Sequence, residues 1–156
     1  MNKLTRLEKC ELALRIGYTY DKETGEIKDS CGFNVGGIDT TTGYIRIGIS
    51  SFNKMQAHHF AWYYVYGNVD FTMLDHINQI KTDNRIDNLR ISNGSLNQLN
   101  KSSSKGYIFI KKKNRYRMEI VLDGVRTQKY FKTAEEAREL YLQLKKEHIE
   151  NHYRTN

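Results

Sequence analysis

Between Met73 and Asn100 the chain gathers side chains that handle protons, metals and phosphates. Asp75 stands beside His76, Asn88 and Arg90 follow, and Asn93, Asn97 and Asn100 come last. An aspartate carboxylate is a hard oxygen ligand suited to Mg²⁺. Histidine is the side chain best able to take a proton near neutral pH. Together they offer a base and a metal ligand for hydrolysis. Adjacent residues on a flat strand point to opposite faces, so the pair serves one site only where the strand ends or twists into a loop. The polar run from Asn78 to Asp87 supplies such a loop. Asn93, Asn97 and Asn100 recur at spacings of four and three, one face of a helix that Ser92 can cap. Asparagine is a poor residue for a helix interior because it competes for backbone hydrogen bonds, so three on one face call for a use. We read Asn97 as a metal ligand through its amide oxygen, and Asn93 and Asn100 as pins for the preceding loop. Asn88 has donors and an acceptor that can tie the loop and fix the backbone at His76.

The elements that must hold these groups follow from patterning, and the fold class they give is α+β. Leu4–Ile16 has helical apolar spacing. Gly17–Asp21 and Glu26–Lys28 flank a turn ending in glycine and predict a hairpin. Tyr44–Ile49 alternates as a half-buried strand, and Phe52–Gln56 can pair with it. Residues 17–56 thus predict a small antiparallel sheet. Ala57–Tyr66 is apolar nearly all round and stops at Gly67, a buried helix. His58 and His59 open it; taken alone, a histidine on an apolar element is a core residue. Phe71–Leu74 enters the reactive stretch as a strand. Residues 101–105 read as a linker. Three strand-like runs follow, Gly106–Lys111, Tyr116–Leu122 and Val125–Phe131. Asp123-Gly124 joins the last two, a turn whose central positions both need positive φ. Thr133 with Glu136 is a capping box for a helix running to about Asn151. The tail, 106–156, is therefore three strands packed on one helix.

The net charge of +7 is unevenly placed. Residues 1–100 hold 11 Lys and Arg against 11 Asp and Glu, whereas 101–156 hold 14 against 7. Within 101–132 the count is 10 against 2. Such asymmetry points to a polyanionic partner, nucleic acid first and an anionic membrane surface second. Arg115 and Arg117 alternate with Tyr116, so both arginines face one side and the tyrosine the core. Arginine can read guanine edges, while Lys105, Lys111, Lys112, Lys113 and Lys129 suit phosphates, and Arg126 adds to the basic set. Cys10 and Cys31 lie far apart and form no metal knot, so no zinc is expected. No apolar run is long enough to span a membrane and the N-terminus has no secretory core. The expectation is a cytoplasmic protein with no membrane partner.

The order A-H-H-F-A-W, L-D-H-I-N, D-N-R-I-D-N-L-R and S-x-x-x-x-N-x-x-N resembles the phage-type HNH nucleases of the ββα-metal fold, over about Tyr44–Asn100. The resemblance implies an HNH nuclease unit over 1–100 with its ββα-metal core in 57–100. It makes His76 the general base and Asn88 the middle residue of the motif. Asp75 and Asn97 become the metal ligands, with asparagine at the third position as in homing nucleases. It raises His58 to a supporting catalytic role. Gln79 departs from the family's usual glycine, which tolerates positive φ. The implied activity is cutting of double-stranded DNA to 5′-phosphate and 3′-hydroxyl ends, with Mg²⁺ as cofactor and Mn²⁺ as substitute. The implied protein is a monomer or weak homodimer, phage-encoded and acting in a bacterial host. G-Y-I, R-Y-R-M-E-I, D-G and Y-F-K-T-A-E-E-A in the tail resemble the ethylene-response-factor (APETALA-type) DNA-binding domain. The alternative is a sequence-specific DNA-binding protein that does not cleave.

Overall fold

The computed structural model describes residues 3–94, 99 and 104–154, the last three without their side chains. The chain divides into two compact units, 1–100 and 101–156. It is a mixed α/β protein of small antiparallel sheets and helices. Among the described residues no helix is long and apolar enough to cross a membrane.

The first unit opens with helix α1 (Arg6–Arg15), started by a reciprocal capping box between Thr5 and Glu8. Its apolar stripe buries Cys10 and Ala13. Burial pushes the Cys10 thiol up to about 12, which suits a packing residue rather than a reactive one. Strands β1 (Thr19–Tyr20) and β2 (Ile27–Lys28) pair as a hairpin. β3 (Gly37–Ile38), β4 (Ile45–Gly48) and β5 (Lys54–Gln56) form a three-stranded sheet with β4 central. Ile47, Ile49 and Met55 point to the core, which leaves Arg46, Gly48, Lys54 and Gln56 on the outer face, as period-two alternation requires. Helix α2 (Ala57–Tyr66) buries Ala57, His58, Phe60 and Ala61. It ends where Gly67 turns left-handed at φ 70°. β6 (Met73–His76) pairs with β7 (Leu89–Ser92), setting Asp75 opposite Arg90 and His76 opposite Leu89. A single 3₁₀ turn, Ile86–Asn88, leads into β7.

In the tail, β8 (Tyr107–Ile110), β9 (Arg115–Leu122) and β10 (Val125–Phe131) form a sheet with β9 central. Helix α3 (Ala134–Arg154) packs on it. Asp123 and Gly124 both have positive φ, 49° and 80°, the geometry the Asp-Gly pair prefers. Thr133 Oγ1 accepts from the Glu136 amide and Glu136 returns the bond to the Thr133 amide. Met118 and Ile120 meet Ala137 and Tyr141 as the buried centre. Tyr116 is only half-buried and packs its ring on Phe109 at 4.9 Å and Tyr107 at 5.8 Å. The tail's core is therefore aliphatic at Met118 and Ile120, with the expected core tyrosine at its margin.

Candidate active site

His76 is the last residue of β6 and is 2 % exposed. Its side chain shares the inner face with Leu74, while Asp75 takes the other face. Two rings pack against the imidazole. His58 lies edge-on with centroids 5.0 Å apart, and Tyr44 lies 5.6 Å away and also touches His58. Lys81 sits over the Tyr44 ring at 4.9 Å and donates to the Thr42 carbonyl at 2.8 Å. His76 Nε2 meets Asn84 Oδ1 at 3.1 Å in a buried contact. Burial holds the imidazole below its ordinary value; Asn84 and the Asp75 and Asp83 charges oppose that shift. His58 is pushed down to about 2, chiefly by burial and then by its histidine neighbours. Its Nδ1 has no hydrogen-bond partner among the described residues. His58 and His76 therefore stand as neutral imidazoles at pH 7.

Asn84 is the residue that sequence reasoning missed. It is 1 % exposed. Tyr20 from the first hairpin donates its hydroxyl to the Asn84 carbonyl at 2.7 Å. A Cβ on Gly25, in the same hairpin's turn, would come within 2.8 Å of the Asn84 carbonyl carbon. The hairpin thus fixes Asn84, and Asn84 fixes the His76 ring. The only signal in the sequence was one more polar residue in an already polar loop.

Asn88 does what its amide can do: Oδ1 accepts from the Asn78 amide at 2.9 Å and Nδ2 donates to the Asp83 carbonyl at 2.7 Å. Its own carbonyl accepts from Ile77 at 2.9 Å. Asn88 therefore pins both ends of the 77–87 loop and the backbone leaving His76. Asp83 takes a two-pronged contact from Arg85, Nε at 2.8 Å and Nη2 at 2.6 Å, and accepts from Asn78 Nδ2 at 2.7 Å. The Arg85 guanidinium holds that carboxyl well below the usual range. Gln79 adopts φ 65°, so the glycine-type conformation is kept without the glycine.

Asp75 receives Arg90 through Nη2 at 2.9 Å and Nε at 3.3 Å, both on Oδ2. Both side chains are nearly buried, 10 % and 8 % exposed. Asn97 and Asn100 lie outside the described residues, as does most of the helix expected to carry them. Asn93 is described and exposed, and Ser92 Oγ donates to its carbonyl at 3.3 Å. Among the described residues no three His, Cys, Asp or Glu side chains form a metal cluster. A hard cation held by one carboxylate, one amide oxygen, water and substrate needs no such cluster. The nearly buried Asp75 carboxylate at the strand end next to His76 fits that kind of donor set.

In the tail, pairing across β9 decides which basic residues share a face. Arg115, Arg117 and Glu119 lie on one side, with Arg126, Gln128 and Tyr130 opposite Val121, Glu119 and Arg117. Glu119 sits among them, 3.5 Å from Arg117, 3.6 Å from Arg126 and 2.7 Å from Gln128. Lys113 covers the Tyr130 ring at 4.4 Å, and Lys111 and Lys112 are exposed in the same 3₁₀ turn. Lys105 is exposed before β8. Lys129 is exposed and pairs with Met118, which puts it on the face of the sheet opposite Arg115 and Arg117. The two-residue turn fixes that register.

Residues 55–99 match the family model of HNH endonucleases. The matched segment runs from β5 to just beyond β7 and contains His58, Asp75, His76, Asn84 and Asn88. It is narrower than the Tyr44–Asn100 span expected from the motifs, and it supports a nuclease role for this segment. A solved structure described as "DNA binding and cleavage by the HNH homing endonuclease I-HmuI" is similar at 24 % identity and a TM-score of 0.46, over 72 % of this chain and 71 % of that one. No curated protein matches the chain.

Proposed function

We propose that this protein is a metal-dependent DNA endonuclease whose general base is His76. The observation that carries the reading is the buried His76–Asn84 contact, beside Asp75 and inside the segment that matches HNH endonucleases. An amide oxygen only accepts, so in neutral imidazole the proton lies on Nε2 and the lone pair on Nδ1. Nδ1 then takes the proton from water as the water oxygen attacks phosphorus in line. The P–O3′ bond breaks and the departing O3′ takes a proton from solvent water, leaving 5′-phosphate and 3′-hydroxyl ends. Burial keeps the accepting, neutral form of His76 populated below its ordinary value. His58 and Tyr44 hold the ring plane, and Asn88 holds the backbone that follows. Asp75 and Asn97 are the residues that would hold Mg²⁺. When bound, the ion supplies positive charge at the phosphate and at the leaving oxygen. The basic face of the tail, with Arg115, Arg117 and Arg126, supports a role in binding double-stranded DNA in the manner of the ethylene-response-factor domain.

The Arg90 contacts on Asp75 favour a second reading, a DNA-binding protein that does not cut. One experiment separates the two. Supercoiled DNA is incubated with the protein in Mg²⁺ or EDTA, beside His76→Ala. The nuclease reading expects discrete Mg²⁺-dependent nicked or linear products, formed at least ~100-fold more slowly by the variant. A salt-sensitive gel shift with no product from the wild-type protein would establish the second reading.

A further inference from the structure

Residues 1–100 carry no net charge, yet four of their eleven cations line one continuous trough. Two adjoining clefts, of about 320 and 450 Å³, share Asp39, Arg46 and Lys54. The first continues past Lys9 and Arg6 to His59. The second runs over Gly36, Gly37 and Gly48. Its floor is the outer face of the β3–β5 sheet. There Gly37 pairs with Arg46, and Gly48 with Lys54. A Cβ on Gly37 or Gly48 would meet nothing within 4 Å among the described residues. Glycine in a strand interior weakens the strand, and one of its uses is to let another backbone approach closely.

The acid in the trough is already committed. Asp39 accepts Arg46 at 3.0 Å and the amides of Thr41 and Thr42 at 2.9 and 3.2 Å. Arg46 retains other donors, because a guanidinium carries five N–H groups. Arg6 is held rather than loose: it donates to the Phe71 carbonyl at 2.6 Å and lies 4.4 Å over the Phe71 ring. Arg6 and Lys9 are near enough to His59 to add to the effect of burial in pushing its imidazole down to about 4. The trough therefore has fixed positive charge, an uncharged imidazole wall and a floor of bare backbone. An extended polyanion fits this surface.

The trough also adjoins the candidate active site. His59 lines it, and the next residue, His58, touches His76. Thr42 lines it too, and the Thr42 carbonyl holds Lys81 over Tyr44, which packs on His76. The two sites meet at the first turn of α2, where the His58 and His59 rings lie 4.6 Å apart.

We infer that the glycine-floored trough of Arg6, Lys9, Arg46 and Lys54 binds the phosphodiester backbone of duplex DNA flanking the cut site. The inference rests on the nuclease reading for what is cut, but not for what is bound. The test is a salt titration in EDTA of the full chain on a labelled 30-base-pair duplex of mixed sequence. Lys9→Ala/Lys54→Ala spares the Arg46–Asp39 pair, and thermal unfolding checks that the variant is folded. Each phosphate contact contributes about 0.9 to the slope of log affinity on log salt. The double variant is expected to lower the slope by roughly 2, while Lys22→Ala/Lys28→Ala, on exposed lysines of the same unit, leaves it unchanged. An unchanged slope for Lys9→Ala/Lys54→Ala would overturn the inference. So would a loss seen on a single strand of the same sequence and not on the duplex. Binding is read without cleavage, so failure of the wild-type protein to cut supercoiled DNA in Mg²⁺ would count against the nuclease reading alone.

Discussion

Every buried polar or charged side chain among the described residues belongs to the first unit: His58, His76, Asn84, Asn88, Arg90 and Ser92. The tail buries Met118, Ile120, Ala137 and Tyr141 and keeps its charges at the surface or half-buried. The two units therefore hold their functional groups by different means. In the first, His76, Asn84, Asn88 and Arg90 are held by hydrogen bonds, so removing one partner leaves the other buried and unsatisfied at a cost of about 1–3 kcal/mol. In the second, a small apolar core fixes a sheet, and the sheet displays charges that water already solvates. The proposed hydrolysis at one phosphorus atom calls for the first kind of precision. The proposed contact of the tail with duplex phosphates calls only for the second.

Acid should destabilise the first unit selectively. His58 is pushed down to about 2 and His59 to about 4, both chiefly by burial. Unfolded histidine titrates near 6.5. Between those values the unfolded chain binds more protons than the folded one, so stability rises with pH. The contribution is whole above about pH 6.5 and is lost as pH falls below it. Each buried histidine costs about 1.4 kcal/mol per pH unit in that window. From pH 6.5 to 5 the two together remove roughly 4 kcal/mol from the first unit. Trp62, the only tryptophan, lies in α2 and reports that unit's urea transition by fluorescence. Its midpoint should fall steeply over this range. A flat midpoint would mean that the histidines accept protons in the fold.

The tail should break at a glycine. Gly106 has φ +74°, and a Cβ there would fall on the ring of buried Tyr141. Gly106→Ala combines a left-handed alanine, about 1–2 kcal/mol, with overpacking, about 1–3 kcal/mol. We expect a loss of about 3 kcal/mol, confined to the tail and followed by far-UV circular dichroism in urea. The Trp62 transition should not move. If it moved in parallel, the two units would not unfold independently.

The same contrast explains what the sequence made legible. Asp75, His76 and Asn88 could be singled out because their types and local spacing are legible without the fold. The Asp123-Gly124 hairpin and the Thr133–Glu136 cap were legible because they involve only near neighbours. Asn84 was not, because its role exists only once Tyr20 and Gly25 reach it from more than fifty residues away. The trough was hidden by summation: Arg6, Lys9, Arg46 and Lys54 are scattered through a segment whose charges cancel. The face of Lys129 was within reach, since a two-residue turn dictates its pairing with Met118, but counting charge alone does not use the register.

The smallest expected effect sharpens the comparison at the loop itself. Gln79 sits at φ 65° between the Asn78 and Asp83 contacts. A residue with a Cβ loses roughly 1–2 kcal/mol there relative to glycine. The loop tolerates it because Asn88 ties Ile77, Asn78 and Asp83 from one side chain and its carbonyl, and the Gln79 amide donates back to the His76 carbonyl at 3.0 Å. Gln79→Gly should therefore raise the stability of the first unit by about 1 kcal/mol, less than the full strain because glycine gains freedom in the unfolded chain. The Trp62 urea midpoint measures it. Combining it with Asn88→Ala tests the explanation. If the hydrogen bonds of Asn88 hold Gln79 in its strained conformation, the glycine variant should gain less when Asn88 is gone, because the freed loop can relax. Equal gains in both backgrounds would show that the strain is held by the strand ends and not by Asn88.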